Sequence, residues 1–189
     1  MVVPGDELER EALFHVAQLM CLAARTAPKG GGVDNLVTAV VSGEQKDLLA
    51  REMRRMAEEY DMEAFRLNAR DVEDAPWVVL LGIVLKRYGV RSCNFCGYEG
   101  CKKNREANGI CAMAVNDLGI ALGSAVSVAG LHHADNRIMY TVGRAALNLK
   151  LLGQDVRIAY GIPLSATGKN PFFDRQWQKV YGVEGWKAK

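Results

Sequence analysis

Pro76-Trp77-Val78-Val79-Leu80-Leu81-Gly82-Ile83-Val84-Leu85 is a ten-residue run without a charged side chain. A strand with one face in water alternates apolar and polar positions, so this run predicts a central strand buried on both faces. Such a sheet needs helices on either side, and the flanking sequence offers them. Upstream, Leu8 to Ala24 is apolar around most of its circumference, with Asp6 and Glu7 at its head and Arg25 at its tail, and predicts a buried helix. A Pro28 and Gly30–Gly32 loop follows, then a strand over Leu36–Ser42. From Gln45 to Tyr60, Leu49, Met53, Met56 and Tyr60 recur at helical spacing, with Asp47–Arg51, Arg54–Glu58 and Arg55–Glu59 four residues apart. Ala64–Asn68 reads as a short strand.

Downstream, Ala112–Gly130 is a helix rich in small apolar residues. A second helix is expected from about Asn136 to Leu152, with Asp135 as its cap and Gly153 as its stop. The strand Val156–Pro163 closes the core. Phe172, Phe173, Trp177, Tyr181 and Trp186 mark an aromatic tail that packs on its own body or on a partner subunit. The expected architecture is α+β, a mixed sheet flanked by helices, in one domain over 1–189.

Composition narrows the function classes. The chain has 49% hydrophobic and 24% charged residues, which is globular and not disordered. With 24 basic and 22 acidic residues the formal charge is +2 and no basic stripe is evident, so no nucleic-acid partner is expected. The N-terminus, Met1-Val2-Val3-Pro4-Gly5-Asp6-Glu7, lacks the apolar run of a signal peptide or anchor, and no membrane association is expected. Five cysteines without a secretion signal point to a reducing, cytoplasmic setting and to metal ligation over disulfides.

Four of those cysteines lie together, as Cys93-Asn94-Phe95-Cys96-Gly97-Tyr98-Glu99-Gly100-Cys101 and then Cys111, within an insert over 91–111. The pattern C-x2-C-x4-C-x9-C supplies four thiolates, the ligand set of a [4Fe-4S] cluster or a tetrahedral zinc site. A cubane takes three ligands from one tight loop and a fourth from further along. Cys93, Cys96, Cys101 and Cys111 follow that plan, with Gly97, Gly100 and Gly109 expected to bring backbone amides toward the cluster sulfides. Zinc more often takes two short-spaced pairs, and Cys111 has no close mate, so a cluster is the first expectation and structural zinc the alternative. Lys102, Lys103 and Arg105 either offset the cluster's negative charge or simply solubilise the loop.

Other candidates carry less chemistry. Cys21, within the first helix, is expected to be a buried structural thiol. His15 lies in line with Leu8, Ala12, Leu19 and Leu22 and reads as a core histidine. His132-His133 with Asp135 reads as a turn and cap before it reads as a second metal site. Ser165-Ala166-Thr167-Gly168-Lys169 looks like an anion-binding turn but lacks the helix a P-loop requires.

Taken with Asn116-Asp-Leu-Gly-Ile-Ala-Leu-Gly-Ser-Ala125 and Gly161-Ile-Pro-Leu-Ser-Ala-Thr-Gly-Lys-Asn-Pro-Phe-Phe-Asp174, the cysteine pattern resembles a prokaryotic family described as containing a ferredoxin domain. More distantly, Ala23-Ala-Arg-Thr-Ala-Pro-Lys29 before the glycine loop, the helix from Asp117 and the strand Val156–Leu164 are similar to nitroreductase-like flavoproteins. That second resemblance implies a sandwich that dimerises around FMN, with Ala27, Pro28 and Lys29 near the isoalloxazine ring and Asn35 as a polar ring contact. The arginine pair and serine that hold the FMN phosphate in those enzymes have no counterpart here, and Lys29 replaces the serine of their Ala-Pro-Ser. Lys169 and Arg175 are the cations left for the phosphate. The expected function is electron transfer or oxidoreduction through the cluster, with a redox protein or small-molecule acceptor as partner. The alternative is a non-catalytic binding or assembly module stapled by zinc.

Overall fold

Strand β2, Trp77–Val84, lies inside a four-stranded sheet of order β1-β2-β4-β3 in the computed structural model, which describes residues 1–173. The other strands are β1 (Leu36–Val41), β3 (Asp135–Asn136) and β4 (Val156–Ser165). The helices are α1 (Gly5–Thr26), α2 (Gly43–Tyr60), α3 (Glu63–Asp74), α4 (Gly100–Glu106), α5 (Ala112–Leu131) and α6 (Tyr140–Asn148). Along β2 the side chains alternate between two separate cores, as a period of two requires. Val79, Leu81 and Ile83 pack with Leu13, Val16 and Met20 of α1 and Leu118, Ala121 and Ala125 of α5. Val78 and Leu80 face the opposite layer, with Leu49, Met53 and Met56 of α2, Phe65 and Val72 of α3, and Val142 of α6. The double-sided apolar run is thus the middle of a helix–sheet–helix sandwich.

All strand pairs are antiparallel, so the mixed sheet expected from sequence is corrected among the described residues. A parallel pair needs a crossover that returns the chain to its starting edge, and two consecutive helices, α2 and α3, separate β1 from β2 instead. Ala64–Asn68 is the first part of α3 and not a strand. Ala64, Phe65, Asn68, Ala69, Asp71 and Val72 are its buried residues, a helical repeat that five residues alone do not reveal. The helix expected from Asn136 begins only at Tyr140. Asp135 and Asn136 pair with Ser165 and Leu164 as β3, and the Asp135 carboxylate accepts from the Asn170 amide (2.9 Å) in place of capping a helix.

Helix α1 buries a single stripe, Leu13, Val16, Ala17, Met20 and Ala24, and leaves Leu8 and Leu22 exposed. His15 falls on that exposed side, so it is not a core histidine. Of the expected ion pairs on α2, Arg55–Glu59 forms (2.8 Å), whereas Arg54 reaches across to Glu73 (2.5 Å) and Asp47 meets Lys46 (3.4 Å). Phe172 is fully buried in the α2/α3/α6 core, and its carbonyl accepts from Arg137 (2.7 Å). The aromatic tail therefore begins by packing on its own body; Asp174, Arg175, Trp177, Tyr181 and Trp186 lie outside the described residues. Helix α5 is long and apolar enough to cross a membrane by length and composition, but its alanine-rich side forms the core with α1 and the sheet.

Candidate functional site

The residues between β2 and α5 leave the sandwich and return to it, and they carry the cysteine motif. Cys93 and Cys96 lie on the loop before α4, Cys101 in α4, and Cys111 at the N-cap of α5. All four are free thiols, and all four line one recess together with Arg87, Asn94, Gly100 and Asn104. Cys111 is buried and the other three are half-buried, so the recess runs from the core outward. Cys111 is placed by the first turn of the 20-residue helix α5, whose N-cap it forms.

Arg87 and Asn104 hold the recess in shape. The Arg87 guanidinium donates to the Asn104 side-chain oxygen, to its carbonyl (3.4 Å) and to the Gly109 carbonyl (2.8 Å). Asn104, itself buried, donates to the Ile110 carbonyl (3.0 Å). The end of β2, helix α4 and the approach to α5 are therefore tied at one point. Gly97 and Gly100, both at φ +79°, supply left-handed turns that other residues resist. The expectation that glycine amides face cluster sulfides is corrected. Gly97 donates to the Asn94 carbonyl (2.9 Å), Gly100 to Asn94 Oδ1 (2.9 Å), and Gly109 to the Asn104 carbonyl (2.7 Å). Those amides are spent on shaping the loop.

A metal fits this donor set by chemistry: four thiols, a bordering guanidinium, and a wall passing from buried to half-exposed. Among the described residues, no three cysteine, histidine or carboxylate side chains are already gathered at metal-ligand spacing, so holding a metal draws the thiols inward. Cys21 lies apart from the motif in α1. It is half-buried, and burial raises its thiol pKa against the opposing pull of a Thr38 hydrogen bond and of Arg25.

A second pocket is lined by residues that neighbour those of the recess along the chain. It is lined by Lys29, Val33, Asn35, Leu36, Ile83, Tyr88, Ala114, Asp117 and Leu118. Arg87 borders the recess and Tyr88 the pocket; Cys111 borders the recess and Ala114 the pocket. The Tyr88 hydroxyl donates to Asp117 Oδ2 (2.5 Å), which also accepts from the Gly30 amide (3.0 Å). Asn35 is buried, and neither polar atom of its amide has a hydrogen-bond partner of ordinary geometry. Such a group costs roughly 1–3 kcal/mol unless something else satisfies it. Its position is fixed by Arg25, which reaches Asp34 (2.6 Å) and the Leu36 carbonyl (2.7 Å) on either side.

The Tyr88 hydroxyl is pushed up to about 12, first by burial and then by the Asp117 carboxylate; the Asn35 amide opposes this and the Cys111 charge adds to it. An acid whose folded pKa is raised contributes stability that is complete below its unfolded value and is lost as pH climbs through the folded one. The Tyr88 contribution is therefore expected to be intact up to about pH 10 and to disappear by about pH 12. Urea titrations of the wild type and Tyr88→Phe across that window check this. The two stability curves should converge at the alkaline end, and a constant gap would contradict the assignment.

Of the residues that the flavoprotein resemblance selects, Lys29 and Asn35 line this pocket. Ala27 is buried and Pro28 exposed, and neither lines it. The Lys29 ammonium is turned onto the carbonyls of Ala24 (3.2 Å), Arg25 (2.6 Å) and Ala27 (2.8 Å), closing the C-terminus of α1. Tyr88 and Asp117 went unrecognised in the sequence as site residues. Asp117 had a signal, as the sole charged residue in the otherwise apolar α5. The turn after β4 satisfies itself, Ser165 Oγ meeting Thr167 Oγ1 (3.3 Å) and Thr167 donating to the Lys169 carbonyl (2.7 Å), and no helix follows it among the described residues. His132 and His133 end α5 as an exposed turn, as expected.

Residues 107–175 match a family described as "Uncharacterized protein containing a ferredoxin domain". A protein of Archaeoglobus fulgidus, itself described as uncharacterized, is 37% identical over 187 residues, covering 95% of this chain and 100% of its own. Among solved structures, a mutant of an FMN- and NADPH-dependent nitroreductase from Sphigopyxis sp. strain HMH superposes with a TM-score of 0.55 at 16% identity, over 90% of this chain and 84% of that one. Nitroreductase A of Vibrio parahaemolyticus gives 0.52 at 14% identity, over 93% and 67%. The sandwich is thus of the nitroreductase type, and at these identities the likeness concerns the fold alone.

Proposed function

We propose, from the premise that this chain belongs to the family of uncharacterized proteins containing a ferredoxin domain, that it is an iron–sulfur redox protein whose cluster sits on Cys93, Cys96, Cys101 and Cys111. One observation carries the reading: the four thiols of the motif line a single recess, although Cys101 and Cys111 reach it from separate helices. When bound there, a four-iron cluster supplies one-electron transfer. The chain's part is to fix the ligand loop through Arg87 and Asn104 and to keep water from the Cys111 side by burial.

Asn35 favours a second group in the adjoining pocket. A planar ring with a donor–acceptor edge would satisfy its stranded amide, which supports the flavin expectation for Asn35 and the neighbouring Ala27, Pro28 and Lys29. The phosphate end does not fit, because the Lys29 ammonium is engaged on backbone carbonyls. The cavity there, about 10 Å³, is also far below the range usual for cofactor sites, and FMN there calls for a second wall. A homodimer meeting across the exposed side of α5, where Ile120 and Leu131 lie, would bring one. A reducing, cytoplasmic setting would suit free thiols of this kind.

Anaerobic purification and a visible spectrum before and after dithionite test the proposal. A broad charge-transfer band that bleaches on reduction supports it, and a colourless protein with no bleachable band rejects it. Sharp flavin peaks in the same spectrum, released by acid, would support occupancy of the Asn35 pocket.

A further inference from the structure

The insert that carries the cysteines also concentrates the molecule's positive charge. Residues 86–110 contain Lys86, Arg87, Arg91, Lys102, Lys103 and Arg105 against Glu99 and Glu106, an excess of four, while the whole chain carries +2. The rest of the molecule is therefore net negative by two. Lys86, Arg91, Lys102, Lys103 and Arg105 are exposed, and among the described residues they form one ion pair, Lys103 with Glu106 at 3.9 Å, too long and too solvated to neutralise much. Set among these cations are apolar side chains that the loop does not cover. Phe95, between two of the cysteines, is 78% exposed, and Val90, Tyr98 and Ile110 are exposed as well. An apolar centre with a charged rim is the anatomy of a protein–protein contact, at the small size common to transient redox encounters.

We propose that this face docks an acidic electron-carrier protein, with Phe95 at the centre of the contact and Arg91, Lys102, Lys103 and Arg105 facing the carrier's carboxylates. The inference rests on the redox reading of the cysteines. Any partner seated over Phe95 lies beside Cys93 and Cys96, so one electron passes across the contact: the carrier is oxidised by one as the cluster is reduced by one, and no bond is made or broken. A nucleic acid is the poorer occupant, because the exposed cations of this segment alternate with exposed apolar side chains and the chain as a whole is only +2, short of the basic stripe that nucleic-acid binding needs.

The test is stopped-flow reduction of cluster-loaded protein by a photoreduced acidic ferredoxin, compared with reduction by the methyl viologen radical cation, with calorimetric binding of the same ferredoxin alongside. The triple variant K102E/K103E/R105E is expected to slow the ferredoxin reaction by about tenfold or more at low salt, with the difference closing at high salt. Phe95→Ser should weaken ferredoxin binding at every salt concentration. Neither change should slow the viologen reaction, which a more negative surface attracts. Equal ferredoxin rates in wild type and triple variant, a matching loss with viologen, or tighter binding to a single-stranded oligonucleotide than to the ferredoxin would overturn the proposal. Absence of bleaching with both reductants would instead remove the redox reading, and the calorimetry would still show whether the acidic protein binds this face.

Discussion

Gly143→Ala is expected to produce a chain that barely folds. A methyl group at position 143 would lie 1.8 Å from the Ala159 carbonyl oxygen, 2.2 Å from its carbon and 2.6 Å from the Tyr160 nitrogen. These are backbone atoms of β4, paired there with Gly82 and Leu81 of the central strand β2, so they cannot swing aside as a side-chain tip can. Gly161 shows the same closeness from the other side, its absent side chain leaving room for Val142. Helix α6 therefore rests directly on the sheet backbone, and one added carbon must separate them. Overpacking of a core costs roughly 1–3 kcal/mol where neighbours can yield, and here the cost should exceed that range. Urea denaturation followed by circular dichroism measures it. A midpoint close to wild type would mean that α6 does not lie on β4 in this way.

Cys96→Ser should empty the metal site while leaving the fold intact. A serine hydroxyl keeps its proton at neutral pH and is a poor substitute for a thiolate, so a cubane would lose one of its four anchors and iron should fall to near zero after desalting. The sandwich should not notice. Cys96 is half-buried on a loop that contributes to neither core, and substitutions at such places usually change stability by about 0.5 kcal/mol or less, apart from what the metal itself adds. Cys21→Ser is the matched control, since Cys21 lies in α1 beside Thr38 of β1, outside the four-cysteine recess, and should leave iron content unchanged. A Cys96→Ser protein with wild-type iron and colour would exclude this residue as a ligand.

The sequence showed most clearly what depends on short-range pattern. The uncharged run through Trp77–Leu85 led to a strand with two cores because both of its faces had to be apolar, and the cysteine spacing led to a shared recess. Where it misled, several faces of one element were equally apolar. Leu8, Leu19 and Leu22 make α1 look buried all round, and only the packing of α5 decides that Leu13, Val16 and Met20 face inward and His15 outward. Asp135 could cap a helix or join an edge strand, and the distant Asn170 settles the choice. Tyr88 and Asp117 are 29 residues apart, and nothing in their local sequence announces that one donates to the other beside an unpartnered Asn35. The glycines of the insert were correctly read as turn formers but not as to where their amides go, since that depends on Asn94 and Asn104 folding back over them.

Metal and sulfide analysis of anaerobically purified protein tests the central claim most directly, with iron, acid-labile sulfide and zinc measured on one sample. The account predicts about four irons and about as much sulfide per chain, with little zinc. One zinc per chain without sulfide would contradict it and would make the four cysteines a structural staple on a binding domain.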